Sequence, residues 1–159
     1  MMAILLIERS DGGVTILNTE SGTDAAAEVA KWEESWALFS GGGFAVSTTE
    51  ILDKDIPTDR WFRDAWVQTG GVISVDIPKA RIIQAKRINA ARTDAVTVLQ
   101  RRADEATLEG RAADAIRAAN DKVAVEGLNL ATIATQIAGA ANPTALLAIW
   151  PAELQEFRP

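Results

Sequence analysis

The sequence predicts an α+β protein in which a small N-terminal β-sheet with one short helix precedes a helical arm. Apolar runs separated by Gly-containing turns dominate the first half. From Pro78 the pattern changes, and residues 79–108 contain neither Gly nor Pro. Ala-rich segments with helical spacing follow. We therefore expect two parts, an α+β head over residues 1–77 and a helical arm with a C-terminal tail over residues 78–159.

The head is expected to contain two β-hairpins and one further extended segment. Asp11-Gly12-Gly13 and Gly70-Gly71 are turn sequences, and each separates two apolar runs, which is typical of hairpins. The expected extended segments are residues 3–8, 14–17, 44–48 and 50–52. Residues 61–67 and 72–76 are expected to form β or mixed structure.

A short amphipathic helix is predicted over residues 25–39. The cap residues Ser21-Gly22-Thr23-Asp24 precede it, and Gly41-Gly42-Gly43 ends it. Its apolar face consists of Ala25, Val29, Trp32 and Trp36, continued by Leu38 or Phe39. We interpret the two Trp residues as core packing.

The arm opens with a long helix after Pro78, which suits the first turn of a helix. At about 100° per residue one apolar stripe forms on residues 79–108, with Lys79, Lys86, Arg87 and Arg101 on the opposite side. The stripe consists of Ile82, Ala85, Ile88, Ala95, Val96, Leu99, Ala103 and Ala106. Arg92 falls inside the stripe, and either its charge reaches an edge or it forms an ion pair with an acidic partner.

Gly110 is expected to break or turn the long helix. A second helical stripe of Ala112, Ile116, Ala119 and Val123 then runs to Gly127, which favours an antiparallel helical hairpin over one continuous helix.

The rest of the arm is expected to hold short helical segments and a tail. The helical segments are residues 130–137 and 144–150, on either side of Asn142-Pro143. Trp150-Pro151 then opens a tail, and we expect it to hold that tail on the core.

The composition excludes several classes of site. The 159 residues include no Cys, His or Tyr, but five Trp and four Phe. Thiolate nucleophiles, disulfides, Ser–His triads and His-containing zinc sites are therefore impossible. No phosphate loop, dinucleotide fingerprint or EF-hand spacing occurs. The nearest carboxylate pairs are Glu33-Glu34, which diverge on a helix, and Asp53 with Asp55, which could share one side of an extended segment. We predict no enzyme, no cofactor and no metal site.

Charge is unevenly distributed along the chain. The net charge is -6, from 16 basic and 22 acidic residues. Residues 1–59 carry 3 basic and 11 acidic side chains, whereas residues 79–102 carry 7 basic side chains and one acidic side chain. This basic segment suits a solvated helix face or a contact with acidic surfaces of the same chain or of a neighbouring copy. The acidic total and the lack of interleaved aromatic residues disfavour nucleic acid. Nor is any apolar run long enough for a membrane span, so we expect a soluble protein made in the cytoplasm.

The run from Asp55 to Trp66, DIPTDRWFRDAW, resembles a segment of a family of small tailed-bacteriophage proteins. That family carries Pro-x-Asp-Arg-x-Phe-Arg-Asn-Ala-Trp, then an Ile-x-Val-Asp-like strand, a Lys-Ala-Arg opening to a basic helix and a Leu-x-x-x-Trp-Pro-like ending. Similar letters occur here at residues 73–76, 78–81, 87–92 and 146–151. The resemblance covers about residues 50–154, and Asp64 stands where the family more usually has Asn.

The resemblance implies a bacteriophage virion component, a tail or head–tail accessory protein that works by protein–protein assembly. It implies other phage structural proteins as partners, a homo-oligomer in a symmetric particle, and no catalytic residues. The alternative is a tail-fibre or tail assembly chaperone that is absent from the mature particle. A small carboxylate-dependent enzyme is a third hypothesis. The expected interface or anchor residues are Arg60, Trp61, Phe62, Arg63, Trp66, Lys86, Arg87, Arg92 and Trp150.

Overall fold

A computed structural model describes residues 2–20, 23–40 and 43–159 of the chain, without the side chains of Met2, Phe39 and Ser40. The chain divides into two compact units, Met1–Asp76 and Ile77–Pro159. The first contains the strands and one helix, and the second is helical, which confirms the α+β prediction. Ser21-Gly22, predicted as part of a helix cap, and Gly41-Gly42, predicted to end that helix, lie outside the described residues.

The first unit is built on a three-stranded antiparallel sheet with the strand order β2-β1-β3. The strands of this unit are β1 Met2–Arg9, β2 Val14–Glu20, β3 Ala45–Ile51, β4 Trp66–Thr69 and β5 Val72–Val75. The predicted first hairpin is confirmed: β1 and β2 pair in register from Met2 with Glu20 to Glu8 with Val14. Gly12, with a φ of 74°, supplies the turn between them.

The predicted second hairpin is also present, as the pair β4 and β5. Gly70 and Gly71 both have positive φ, 60° and 81°, as a two-residue turn of the I′ type requires. Of the two alternatives for residues 61–67, the mixed one is present, because residues 61–65 form a turn and a short 3-10 helix before β4. The Asp59 carboxylate accepts a hydrogen bond from the Trp61 amide (2.8 Å) and so holds the chain in this turn.

The core of the first unit lies between the sheet and the second hairpin. Leu6, Ile51, Ile56, Trp66 and Ile73 form its buried cluster. The predicted helix α1 (Ala25–Ser40) begins after Asp24, whose carboxylate accepts from the Ala26 amide at 2.9 Å.

The face of α1 that was expected to pack in the core is only half-buried. Trp32 and Trp36 stack with ring centroids 4.8 Å apart, Leu38 is exposed, and no described side chain of α1 is fully buried. A Cβ atom at Gly43 would collide with the Trp36 ring, so this glycine allows the close approach of the indole.

The second unit is a helical hairpin with shorter helices packed along its first helix. Its elements are α2 Ile77–Leu108, α3 Ala112–Glu126, α4 Leu130–Gly139, α5 Pro143–Ala148 and a C-terminal 3-10 helix Ala152–Phe157. Gly110, with a φ of 72°, ends α2 and lets α3 fold back along it. The predicted antiparallel hairpin is therefore confirmed, and the continuous helix is wrong.

The predicted apolar stripe of α2 is partly correct, and that of α3 is wrong. On α2, the predicted members Ile88, Ala95, Leu99 and Ala106 are buried. Ile82 is more than half exposed, and the buried face also includes Ala80, Gln84 and Ala91. On α3 all four members of the predicted stripe (Ala112, Ile116, Ala119 and Val123) face solvent. The contact with α2 is made by the opposite side of α3, where Ala118 and Val125 are buried. Alanines allow two helix backbones to approach closely, and this close packing leaves the larger side chains outside.

Candidate functional site

The segment that resembles the phage family forms a compact corner before β4. Phe62 is 2% exposed and Trp66 is 4% exposed, so these two predicted anchor residues are buried. The amide of Ala65 donates to the Phe62 carbonyl (2.8 Å), which closes the 3-10 turn and brings Trp66 to the core cluster. In this structure both large aromatic side chains act in packing.

The cations of this segment lie on its outer side. Arg60 is exposed, with its guanidinium 5.4 Å from the centroid of the Trp66 ring, a cation–π contact. Arg63 makes a long ion pair with Asp64 (3.7 Å), in which both side chains are about 70% exposed and so contribute little to stability. Trp61, which lies between Arg60 and Arg63 in the sequence, is half-buried. Arg60, Trp61 and Arg63 are therefore the members of the segment with surface to offer a partner.

Arg92, which sequence analysis placed inside the apolar stripe of α2, caps the end of α3. Its Nε donates to the Val125 carbonyl (3.2 Å) and its Nη2 donates to the Glu126 carbonyl (2.9 Å). Neither predicted alternative describes this contact, because the acceptors are main-chain oxygens of a helix C-terminus. A cation at this position satisfies carbonyls that have no partner within the helix and lies at the negative end of the helix dipole.

Two more cations of the basic segment also have partners within the second unit. Arg81 donates to the Ala140 carbonyl (2.9 Å). Arg102 binds Glu156 through two hydrogen bonds of 3.0 and 2.5 Å, which fastens the C-terminal 3-10 helix to α2. These hydrogen bonds lower the pKa of the Glu156 carboxyl below its ordinary value and raise the pKa of Arg102.

The basic segment is therefore partly used for internal contacts. Arg81, Arg92 and Arg102 bind groups of their own unit. On the same helix Lys86 is exposed and Arg87 is half-buried. The Arg102–Glu156 pair is a contact between the basic segment and an acidic group of the same chain.

Trp150 fastens the C-terminal tail, as the sequence predicted. Its side chain is buried, and its Nε1 donates to the Leu154 carbonyl at 2.9 Å. The guanidinium of Arg158 lies 5.6 Å from the Trp150 ring centroid. One side chain thus joins the end of α5 to the 3-10 helix that follows.

Open clefts are present on the described surface of both units. In the first unit a cleft of about 560 Å³ lies between α1 and β3 and is lined by residues such as Val29, Glu33 and Val46. In the second unit a groove of about 460 Å³ is lined by Leu128, Ile133, Gln136, Ile149 and Trp150 among others. Both are wide surface depressions without a group of converging titratable side chains, and so resemble contact surfaces more than enclosed ligand sites.

Asp53 and Asp55 lie in a short 3-10 helix rather than in an extended segment, and Asp55 accepts a hydrogen bond from the Leu52 amide (3.3 Å). Among the described residues no three acidic side chains converge to hold a metal ion. Within the same residues no helix is long and apolar enough to cross a bilayer.

No protein-family model matches this sequence, and no curated protein or solved structure is significantly similar to it.

Proposed function

We propose that this chain is a structural component of a tailed-bacteriophage particle, a tail or head–tail accessory protein that acts by binding other proteins. The observation that carries the proposal is the order of similar segments along the chain. The aromatic and Arg-rich run Asp55–Trp66 is followed by a short strand, a Lys-Ala-Arg helix opening and a late Trp-Pro, as in the phage family. The chain's partners would then be other phage structural proteins, together with further copies of itself.

The surface of the first unit supports a role in protein contacts. Phe44, Val46, Leu52 and Val72 each expose more than half of their side chains, and Leu38 on α1 exposes still more. Phe44 and Val46 project from the same face of the chain at β3, since they are two residues apart in extended structure. Val46 also lines the cleft beside α1. Exposed apolar side chains beside a cleft, such as Val46, are typical of protein-binding surfaces.

The decisive measurement is the protein content of purified particles of the phage that encodes the chain. A structural component is present in a fixed number of copies per particle, which quantitative mass spectrometry measures. Absence from particles, combined with co-purification with an unassembled fibre, would instead identify the assembly chaperone. Absence from both fractions would contradict the proposal.

The outward side of the family-like segment can be tested separately from its packing. Trp61→Ala combined with Arg63→Ala removes side chains that are half-buried or exposed, so the protein should stay folded and its incorporation into particles should fall. Arg101→Ala is the matched control, because Arg101 is exposed on α2 and pairs with its neighbour Glu105. Incorporation equal to that of the control would exclude this segment as the contact. Trp66→Ala tests packing instead, at a cost of about 3–5 kcal/mol.

A further inference from the structure

The side of α3 that points away from α2, called its outer face below, carries exposed apolar side chains, which is unusual for a helix surface that contacts only water. Ala118 and Val125 mark the side of α3 that packs on α2. On the opposite side Ile116 is 62% exposed and Val123 is 66% exposed. The residues of this outer face are Ala112, Ala113, Ile116, Ala119, Asn120 and Val123, and all of them are exposed.

The charges of α3 lie away from this outer face. With about 100° per residue, every charged residue of α3 falls within about 100° of the direction of α2, which leaves an uncharged outer arc about 160° wide. The charged residues are Asp114, Arg117, Asp121, Lys122 and Glu126. They pair along the flanks of the helix, as Lys122 does with Glu126 (3.3 Å). The surface helix of a monomer normally places its charged residues on the side that faces water. In α3 that side is uncharged and partly apolar, which indicates a contact in addition to the one with α2.

Small and large side chains alternate along the outer face, and this order indicates which surface packs against it. Ala112, Ile116, Ala119 and Val123 are spaced by four, three and four residues, which is the spacing of a heptad seam. Consider a two-fold axis that is perpendicular to α3 and passes midway between Ala112 and Val123. It relates two copies of the helix that run antiparallel. It brings Ile116 against Ala119 of the partner subunit and Val123 against Ala112 of the partner subunit. Each layer then contains one large and one small side chain, which interdigitate without voids.

A parallel pair in register lacks this fit. It would place each Ile or Val against the same residue of the other copy, and the next layer, with Ala facing Ala, would leave a gap. The stripe is thus complementary to itself only about a perpendicular two-fold axis, the symmetry of an isologous dimer. Because the arc is uncharged, two copies with a net charge of -6 each can meet there without burying a charge.

We propose that the outer face of α3 is a self-association surface through which two copies of this chain pair antiparallel. One pair of 15-residue helices buries less area than a permanent dimer, so the association is concentration-dependent. The proposal rests on the surface of α3 and does not require the proposed role in a phage particle.

Sedimentation velocity of the full chain over a wide concentration range tests the association. The wild-type chain should pass from monomer to dimer, and Ile116→Glu should remain monomeric over the same range. Ile82→Glu is the matched control: it places the same charge at another exposed Ile of the second unit, and it should dimerise like wild type. Circular dichroism checks that each variant is folded. A wild-type chain that stays monomeric, or an Ile82→Glu variant that dissociates as fully as Ile116→Glu, would overturn the proposal.

Disulfide trapping tests the orientation, since the chain contains no cysteine of its own. An equimolar mixture of Ala112→Cys and Val123→Cys chains should cross-link under mild oxidation, because the antiparallel pair brings these positions together. Ala112→Cys alone should cross-link far more slowly, because its two copies lie about 16 Å apart along the helix axis. Faster cross-linking of Ala112→Cys with itself than of the mixture would overturn the antiparallel arrangement.

Discussion

Arg92→Met should destabilise the helical hairpin by about 2 kcal/mol. The substitution keeps the apolar stem of the side chain and removes the two N–H groups that bind the Val125 and Glu126 carbonyls. Hydrogen bonds from a charged donor contribute about 1.5–3 kcal/mol each when water cannot replace them, and a cation at a helix C-terminus adds about 0.3–1 kcal/mol.

At this site we expect a loss smaller than the sum of the two hydrogen bonds and the helix-dipole contribution. The bond to the Glu126 carbonyl is exposed, so water takes the place of the guanidinium there. The Val125 carbonyl also lies 3.4 Å from the Leu128 amide, which remains in the variant. Arg92→Lys keeps the charge but cannot hold both carbonyls with one planar fork, so its loss should be about half as large.

Urea unfolding, followed by the helical circular dichroism signal, measures these differences. Arg101→Met is the control, because Arg101 and Glu105 form an exposed i,i+4 pair worth about 0.3–0.5 kcal/mol. Hydrogen exchange adds a local readout: amides in the last turn of α3 should exchange faster in Arg92→Met, whereas those in the middle of α2 change less. If Arg92→Met loses no more stability than Arg101→Met, Arg92 does not cap α3 and the reasoning is refuted.

Three further substitutions test other features of the chain, and a fourth, Gly139→Ala, serves as a control. Gln84→Met should cost about 1–3 kcal/mol in urea unfolding, since Gln84 is fully buried and its amide donates to a main-chain carbonyl at 2.7 Å; a neutral result would contradict that role. Gly71→Ala should cost about 1–2 kcal/mol because its φ is 81°, whereas Gly139→Ala, in a helix with open space around it, should be neutral or stabilising by thermal unfolding. Glu156→Gln should be less stable than wild type near neutral pH. Because its bond to Arg102 lowers the folded-state pKa of Glu156, that stability is present above the unfolded value of about 4.5 and is lost as the pH falls through the folded value. Urea titrations should therefore show that the difference in free energy of unfolding between wild type and Glu156→Gln shrinks in acid. A difference that stays constant with pH would contradict the bond between Glu156 and Arg102.

The sequence was most informative where a turn depends on one residue type. Gly12, Gly70, Gly71 and Gly110 all have positive φ, a conformation that other residues adopt only at a cost. The turns at these positions follow from local chemistry alone, so the two strand hairpins and the helical hairpin could be predicted without knowledge of the packing.

Contacts between distant parts of the chain could not be predicted in the same way. Gln84 binds a carbonyl 65 residues further along, and Arg102 binds Glu156 54 residues further along. Both residues are ordinary for an exposed helix face, and no local pattern distinguishes them. Among the predicted interface residues, Trp150 fastens the tail as expected. Phe62 and Trp66 are aromatic like Trp61, yet only the packing decides which of the three reach the surface.

The incorrect stripe on α3 has a physical explanation that also bears on its role. Periodicity analysis gives most weight to Ile116 and Val123, since large apolar side chains gain most from burial. The hairpin instead buries Ala118 of α3 and Ala91, Ala95 and Ala106 of α2. Small side chains bring the two helices close together, and Val125 with the Arg92 cap secures the end of α3. Intrachain packing is thus satisfied without the larger residues. A heptad seam of Ile and Val that the fold does not use, on an arc without charge, is consistent with burial in a contact with another copy.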